Sequence, residues 1–423
     1  MRVWLINNYA TPPRYGGLVR HSYFAKFFRQ RGHDFRIFTS SQIHNTTVNM
    51  ISGNECFREC ELDGVPYTFV RSMSYTKNNW RRIANMMDFP LHCKKAMKQL
   101  YASGEKPDVI YASSPMPLSS KTAFHFAEKR GIPTVFEVRD LWPKSIVDYS
   151  RLTDRNPIIR ALYGLETSLY KRADRIIFTM AGGEAYLRDR GLTSVLRDKK
   201  IDQVNNGVDF EEFLREAREY RYEDSDLEDT ETLKIVYSGS IRHIYDFGCI
   251  VETAALCQKA LPQARFLIYG DGTEREEMAA RAKDMGLQNI KFKGRVEKQF
   301  IPSILQRADL ALLHHKQVDL ARYGLSPNKL FEYLAAGCPV LSTVQSQYSL
   351  LKDAHCGLES HSQDPQEIAY AIQQFAELPE EEKQQMRNRA RQTAEQHDYR
   401  VLSEKLESIF DELLEEKRGK NYA

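Results

Sequence analysis

Short apolar runs alternate with helix-period segments along nearly the whole 423-residue chain, and the alternation occurs twice. Before about residue 200, the predicted strands are 2–9, 34–40, 108–114, 134–139 and 175–180, with helices at 17–31, 119–130 and 156–173. Later predicted strands are 233–238, 265–270, 290–294, 310–314 and 339–344, with helices at 247–260, 274–285, 300–307 and 327–336. Repetition of this kind builds parallel sheets covered by helices. The sequence therefore predicts an α/β chain with two doubly wound domains.

The two halves have the size of ordinary domains. The stretch 211–232 is rich in charge and is interpreted as a surface excursion leading into the second domain. The tail has helical periodicity, and four apolar residues form one stripe along it: Leu402, Ile409, Phe410 and Leu413. We expect an N-terminal domain over 1–203, a C-terminal domain over 204–399, and a last helix at about 400–423 that packs back on the first domain.

The net charge of +3 divides into +14 over residues 1–200 and −11 over the remainder. A basic half implies an anionic partner. Because no nucleic-acid-binding signature accompanies the charge, an anionic membrane surface or a lipid-phosphate acceptor is favoured, and no nucleic acid is expected. The apolar runs are strand-sized, the first residues resemble a strand more than a secretory signal, and seven cysteines are scattered. We expect a cytoplasmic enzyme.

The segment from Tyr323 to Pro339, YGLSPNKLFEYLAAGCP, carries the richest motif. Ser326 as N-cap and Pro327 at the first position predict a helix start. Leu330, Phe331 and Leu334 would face the domain, and the opposite face would carry Lys329, Glu332 and Tyr333. The free N–H groups and the dipole of such a helix start attract phosphate, and a carboxylate one turn later suits ribose hydroxyls. An ordinary well-capped helix is the alternative.

With its continuation Pro339-Val340-Leu341, this segment resembles the donor-site helix of the retaining glycosyltransferases of family GT4, which have the GT-B fold. Further matches occur in the expected order: Tyr15-Gly16-Gly17, Val138 to Pro143 (VRDLWP), Asn206 to Asp209 (NGVD), Ser238-Gly239-Ser240, Gly270-Asp271-Gly272 and Phe292 to Val296 (FKGRV). The subgroup it resembles comprises bacterial enzymes of O-antigen-type or capsule-type polysaccharides. The resemblance implies two Rossmann-like domains that face a central cleft.

The resemblance and the helix-start argument together assign site residues. The expected donor-binding residues are Gly16, Gly17, Gly239, Ser240, Arg242, Gly270, Gly272, Gly294, Arg295, Val296, Gly324, Leu325, Ser326, Asn328, Lys329 and Glu332. The expected catalytic residues are Asp140 and Lys329. The resemblance implies that a phosphate oxygen of the leaving group takes the acceptor's proton, so the protein mainly positions reactants and stabilises charge.

Two positions depart from the family pattern. Many members carry two glutamates with seven residues between them, and the first falls here on Gly324. Backbone N–H groups around Gly324, or a different hydroxyl pattern in the sugar, would compensate. Many members have a His-Asp pair where this chain has Arg139-Asp140. Asp140 remains a candidate acid/base or acceptor-orienting group, with a structural cap in a tight turn as the alternative.

The implied reaction is retaining transfer of a sugar, with an N-acetylated hexosamine as one candidate, from a nucleoside diphosphate, UDP. The implied acceptor is a polyprenyl-linked lipid or an oligosaccharide in surface-polysaccharide synthesis, at the inner face of the plasma membrane. A sugar-nucleotide epimerase of the same fold and a non-catalytic bilobed sugar-binding protein are the alternatives.

No cofactor and no catalytic metal are expected. Asp224-Ser225-Asp226 lies in an acidic run that is interpreted as a solvated loop. Cys56 and Cys60 have no second pair at zinc spacing. His314-His315 ends an apolar strand, where it would either contact the cleft or pack as a strand end.

The segment 75–101 mixes two kinds of side chain. The apolar ones are Trp80, Ile83, Met86, Met87, Phe89 and Leu91, and the basic ones are Lys77, Arg81, Arg82, Lys94, Lys95 and Lys98. A basic helix with aromatic anchors lies in a membrane interface. An ordinary surface helix with one face inward is equally compatible with the pattern.

Overall fold

The structure is a computed structural model that describes residues 1–44, 46–75 and 80–422. The chain divides into two compact units: unit 1 comprises Met1–Asn205 and Tyr399–Ala423, and unit 2 comprises Asn206–Asp398. Each unit is built on one largely parallel sheet with helices packed on it. The predicted α/β class with two parallel-sheet domains is confirmed.

Unit 1 contains strands from four to seven residues long. They are β1 (Arg2–Ile6), β2 (Asp34–Ser40), β3 (Phe57–Leu62), β4 (Val65–Val70), β5 (Val109–Ser113), β6 (Thr134–Val138), β7 (Arg175–Phe178) and β8 (Lys200–Gln203). The helices that lie between them are α1 (Arg20–Gln30), α2 (Trp80–Ala102), α3 (Pro117–Glu128), α4 (Lys144–Tyr149), α5 (Pro157–Arg172) and α6 (Gly183–Asp189). The strand order is β3-β4-β2-β1-β5-β6-β7-β8, with β3 antiparallel to β4.

The β3–β4 hairpin was not predicted, although its turn carries a sequence signal. Asp63 and Gly64 join the strands and have φ of 52° and 73°. An Asp-Gly pair with positive φ at both residues matches the right-handed twist of the flanking strands. The antiparallel pair extends the parallel sheet beyond β2.

Unit 2 begins with α7 (Phe210–Glu219) and α8 (Ser225–Glu228) and then alternates regularly. Its remaining elements are β9 (Leu233–Ser238), α9 (Phe247–Ala260), β10 (Ala264–Tyr269), α10 (Arg275–Asp284), β11 (Ile290–Gly294), α11 (Ile301–Leu305), β12 (Leu310–Leu313), α12 (Asn328–Ala335), β13 (Val340–Ser342), α13 (Leu350–Asp353), β14 (Gly357–Glu359), α14 (Pro365–Glu377) and α15 (Glu380–Gln396). The strand order is β11-β10-β9-β12-β13-β14. Strand order reverses at β9, so the carboxyl ends of β9, β10 and β12 border a topological switch point, where such sheets bind ligands.

The stretch 211–232, interpreted as a surface excursion, is mostly exposed or half-buried, but it is helical in part and anchored to unit 2. Helix α7 occupies its first half, and Phe213 is buried in the core of unit 2. Leu227 of α8 joins the same core. Few residues of the stretch are apolar, but those few fall on one face, which is enough to dock a short amphipathic helix.

The last helix, α16 (Tyr399–Tyr422), belongs to unit 1. Its predicted apolar stripe is buried in the unit 1 core. The ring of Phe410 lies 5.8 Å from the ring of Phe28 in α1. Among the described residues, no helix has the length and apolar character that crossing a membrane requires.

Candidate functional site

Glycine turns at the ends of β9, β10 and β11 form one hydrogen-bonded layer. The Gly270 N–H donates to the Gly294 carbonyl at 2.7 Å, and the Gly239 N–H donates to the Tyr269 carbonyl at 2.9 Å. A Cβ placed on Gly270 would lie 1.7 Å from the Gly239 oxygen, and one on Gly272 would lie 2.0 Å from the Ile241 oxygen. Only glycine fits such approaches, so these turns, predicted one by one from the sequence, are mutually dependent.

Helix α12 begins beside this layer, one residue later than predicted. Pro327 is its N-cap, and the predicted capping role of Ser326 is wrong. The Ser326 hydroxyl instead accepts a hydrogen bond from the Asn206 N–H at 3.0 Å, and the Ser326 carbonyl accepts from the Asn206 amide. The loop before the helix is therefore tied to the first residue of unit 2.

The outward face predicted for α12 is partly wrong. Leu330, Phe331 and Leu334 are buried as expected, but Tyr333 is fully buried too. The Tyr333 hydroxyl accepts from the Ser238 N–H at 3.0 Å and is 3.2 Å from the Ser238 carbonyl. Because the phenol satisfies the backbone where β9 ends, Tyr333 fixes the helix against the turn layer.

Lys329 points into the turn layer. Its Nζ donates to the Tyr237 hydroxyl at 2.9 Å and lies 4.1 Å and 5.1 Å from the ring centroids of Tyr237 and Tyr245. A Cβ on Gly239 would come within 2.5 Å of this nitrogen. Burial lowers the pKa of Lys329 to about 7, although Glu332 opposes the shift. The amine is held against two aromatic rings at the carboxyl end of β9, beside the glycine turns.

The other predicted donor-side residues of unit 2 differ in exposure and in hydrogen bonding. Glu332 keeps a quarter of its side chain exposed, with the Lys298 Nζ 3.9 Å away. Arg242 and Arg295 are exposed, and Leu325 and Val296 are partly buried. Within the described residues, Oδ1 of Asn328 is buried without a hydrogen-bond partner. The Ser240 carbonyl accepts from the Tyr237 hydroxyl at 2.8 Å.

Gly324 precedes this helix with φ of 99°. Its N–H donates to the Ala321 carbonyl at 3.0 Å. This group is therefore already used, and the backbone donor expected to replace the missing carboxylate is not the N–H of Gly324 itself.

In unit 1, Gly16 and Gly17 have φ of 68° and 82° and precede α1. Asp140 follows β6, and the Ser114 hydroxyl accepts from the N–H groups of Arg139 and Asp140 at 2.8 and 3.2 Å. The Asp140 carbonyl accepts from the Trp142 N–H at 2.8 Å, so the residue lies in a tight turn, and the role of its carboxylate stays a prediction. Although the side chain reaches solvent, the surrounding protein raises its pKa, and Arg139 opposes that effect.

A buried network beneath these residues was missed from the sequence. Glu137, fully buried in β6, accepts from Arg20 Nε at 2.8 Å and is 2.7 Å from His21 Nε2. The hydroxyls of Tyr111 and Ser113 also donate to it. Burial alone would raise the pKa of Glu137, but Arg20 and His21 hold it well below its usual value. The signal was a glutamate inside an apolar strand, because a buried charge requires partners.

The interpretation of Asp224-Ser225-Asp226 as a solvated loop was also wrong. Lys293 Nζ lies 2.7 Å from Asp224 and 2.5 Å from Asp226, and Lys291 pairs with Asp226. Burial alone would raise the pKa of Asp224, but hydrogen bonds from Lys293 and the Tyr269 hydroxyl lower it. These carboxylates are engaged in ion pairs. Within the described residues, no group of three or more metal-ligating side chains occurs.

Models of two glycosyltransferase families match almost the whole chain. The model described as Glycosyltransferase Family 4 matches residues 15–212, and the one described as Glycosyl transferases group 1 matches residues 221–393. The chain belongs to the GT4 glycosyltransferases of the GT-B fold. The resemblance identified from the motifs is thereby confirmed.

One curated relative and two solved structures show how far the similarity reaches. TuaH of Bacillus subtilis, named as a teichuronic acid biosynthesis glycosyltransferase, is 28% identical over 214 residues, 49% of this chain and 50% of that protein. The match thus spans half the length of the relative. Sucrose-phosphate synthase of Thermosynechococcus elongatus aligns with a TM-score of 0.70 at 16% identity, covering 97% and 98% of the chains. Anabaena HepE in complex with UDP-glucose aligns with a TM-score of 0.64 at 14% identity, covering 97% and 100%.

In this GT4 chain, the donor-side residues predicted for unit 2 gather around the glycine turn layer and the start of α12. Gly16, Gly17 and Asp140 belong to unit 1, beyond the carboxyl ends of its strands. The roles of all these residues stay predictions. Tyr237 and Tyr245, which hold Lys329, were not found from the sequence, because aromatic residues near a strand end usually indicate only core.

Proposed function

We propose that this GT4 protein transfers a sugar from UDP to a lipid-linked or oligosaccharide acceptor, with retention of configuration, in surface-polysaccharide synthesis. The observation that carries the proposal is the convergence in unit 2 of three glycine turns, the start of α12 and the Lys329 amine. Glycine turns admit a diphosphate close to the backbone, and a helix start with an adjacent cation favours its charge.

The choice of donor and pathway is supported by the proteins that share this fold or sequence. HepE has been solved with UDP-glucose, and TuaH is named for teichuronic acid biosynthesis. A hexose or an N-acetylated hexosamine is proposed as the transferred sugar, with a polyprenyl-linked acceptor. Neither a cofactor nor a catalytic metal is included in the proposal.

The proposed chemistry assigns most of the work to positioning and charge. Lys329 and the first N–H groups of α12 stabilise the charge that develops on the leaving diphosphate. Glu332, one turn along, binds the ribose hydroxyls. A phosphate oxygen of the leaving group takes the acceptor's proton, and Asp140 orients the acceptor hydroxyl or assists that transfer.

Calorimetry with UDP- and GDP-sugars tests the donor, followed by incubation of membrane-lipid extracts with each sugar that binds. We expect binding of at least one UDP-sugar and a lipid-linked product detected by mass spectrometry. Binding of no nucleotide sugar would refute the proposal. Conversion of the donor without any acceptor would indicate an epimerase instead.

The exposed face of helix α2 favours the proposal that unit 1 also binds an anionic membrane surface. Ile83, Met87 and Leu91 are exposed by 64%, 56% and 65%, and their spacing of four places them on one helix face. The exposed basic residues further along the helix are Lys94, Lys95 and Lys98. An apolar row followed by lysines suits the boundary between acyl chains and anionic headgroups.

Other members of the predicted 75–101 segment do not share this face. Phe89, one of the expected anchors, is fully buried, so its predicted interfacial role is wrong. Lys77 and the side chain of Trp80 lie outside the described part of the structure. The surface proposed for membrane contact is therefore defined by Ile83, Met87, Leu91 and the lysines that follow.

Vesicle co-sedimentation tests this surface. The double variant Ile83→Glu/Leu91→Glu should bind vesicles containing phosphatidylglycerol at least about tenfold more weakly, because each large apolar side chain contributes about 1.5–3 kcal/mol on burial. Ile158→Glu, which changes an equally exposed residue on α5, is the matched control and should bind normally. Equal binding by the double variant and the wild type would contradict the membrane assignment.

A further inference from the structure

Two adjacent histidines follow β12 at the switch point of unit 2, and their surroundings differ. His314 is fully buried, and its ring nitrogens lie 2.7 Å from the Thr343 hydroxyl and 3.1 Å from the Asp246 carbonyl. Both nitrogens thus have partners, and this residue is a packed strand end. In the part of the chain that the structure describes, Nε2 of His315 is buried without a hydrogen-bond partner.

His315 belongs to the cluster that holds Lys329. The centroid of its ring is 5.4 Å from that of Tyr245, and the same tyrosine ring lies 5.1 Å from the Lys329 Nζ. The Gln363 amide donates to the His315 carbonyl, which anchors the backbone. The imidazole therefore lies beside the same tyrosine ring as Lys329, the cation that is proposed to bind phosphate.

The imidazole is neutral at physiological pH. Burial lowers the pKa of His315 to about 3, and the charge of Lys329 adds to the shift. A neutral imidazole can still offer one N–H. Buried polar atoms are nearly always paired in native proteins, so an unpaired Nε2 beside a cation points to a ligand oxygen.

We infer that His315 is a further donor-binding residue, whose Nε2–H donates a hydrogen bond to a phosphate oxygen of the nucleotide sugar held by Lys329. The inference rests on the proposed function. It adds His315 as a neutral hydrogen-bond donor to the charged donor Lys329. Adjacent strand-end histidines thereby divide their roles, since His314 holds the scaffold and His315 faces the diphosphate.

The test compares His315→Phe with His315→Gln in calorimetric titrations of UDP and of uridine. Phenylalanine keeps a ring against Tyr245 but has no N–H, whereas the glutamine amide can replace the donor. His315→Phe should bind UDP about 10- to 100-fold more weakly, which is typical for loss of a hydrogen bond to a charged group. Its affinity for uridine, which has no phosphate, should be unchanged, and His315→Gln should bind UDP within about threefold of wild type.

The other possible outcomes separate failure of the His315 inference from failure of the proposed function. Unchanged UDP affinity in His315→Phe would overturn the inference while leaving the proposed function intact. Equal losses for UDP and uridine would overturn it as well, because they would indicate a structural role. If the wild type bound no uridine nucleotide, the proposed function would fail and the inference with it.

Discussion

Lys329 shows how one residue can be tuned by what surrounds it. The sequence places Lys329 at a helix start that suits phosphate. It does not reveal that the ammonium lies between the rings of Tyr237 and Tyr245. Burial lowers the pKa of the amine to about 7, and Glu332 opposes the shift. Binding of a diphosphate would restore a favourable charge partner.

This burial predicts a specific pH dependence of donor affinity. Below about pH 7, Lys329 is charged before binding, so no proton is taken up and UDP-sugar affinity should be flat. Above it, binding must bring a proton, and affinity should fall by up to about tenfold per pH unit. Lys329→Arg, which stays charged, should remove this slope. Calorimetry from pH 6 to 9 would measure both, and an unchanged slope in the arginine variant would contradict the assignment.

If their proposed roles are correct, substitution of Asp140 should lower turnover, whereas substitution of Glu332 should lower nucleotide affinity. Asp140→Asn should lower kcat at least about 100-fold while leaving nucleotide affinity nearly unchanged, because general acid–base groups contribute about 10²–10⁴-fold. Glu332→Gln should instead weaken nucleotide binding. Steady-state kinetics with calorimetry separates the two effects. Equal losses of affinity in both variants would be incompatible with the division between units.

At the scale of elements, the glycine turns show why single motifs were weak evidence. Gly-Asp-Gly after a strand occurs in many proteins, and the sequence alone predicts only a tight turn there. In the structure, the Gly270 turn packs on the backbone of the Gly239 turn and is hydrogen-bonded to Gly294. The three strand ends therefore form one rigid edge, on which α12 is fixed by Tyr333.

Gly270→Ala should disrupt this edge. Its Cβ would collide with the Gly239 carbonyl, so we expect a loss of about 2–4 kcal/mol in the unfolding free energy of unit 2, together with weaker UDP binding. Gly286→Ala is the control, because its φ is 68° but no atom lies within 4 Å of its Cβ. It should cost about 1–2 kcal/mol and leave UDP affinity unchanged. Urea denaturation would show whether the two differ.

At the scale of the whole molecule, the C-terminal helix of the chain belongs to unit 1, which also contains the N-terminus. Helix α16 supplies Leu402, Leu406, Ile409, Phe410 and Leu413 to the core of unit 1, although most of that unit is encoded before residue 206. Unit 2 is closed by its own last helix, α15, whose Ala390 and Ala394 pack in its core. Each unit thus has a separate hydrophobic core made of residues distant in sequence.

Matched core substitutions should affect one unit at a time. Phe410→Ala should reduce amide protection in unit 1, and Phe331→Ala should do so in unit 2, each with a loss of about 3–5 kcal/mol. Hydrogen exchange followed by mass spectrometry localises the effect. Equal deprotection of both units by either variant would show that they do not unfold as separate bodies.

The sequence by itself determined the elements and the family. Apolar periodicity placed most strands within a few residues, because a strand buried on both faces must be continuously apolar. Ordered motifs identified the GT4 resemblance, because glycine turns and a proline-started helix need particular residues at particular places. The prediction missed the β3–β4 hairpin, the edge strands β8 and β14, and α7, whose apolar residues are few.

Only the tertiary structure decided which side chains meet. In the structure Tyr333 is buried, Ser326 bonds to Asn206 and Asp224 pairs with Lys293. Among the described residues, Nε2 of His315 has no hydrogen-bond partner, and it lies beside the Lys329 cluster. Such contacts join residues tens of positions apart, and local periodicity carries no information about them. Burial and hydrogen bonding, which set pKa values and the availability of a donor, exist only once the strands are arranged in their sheet.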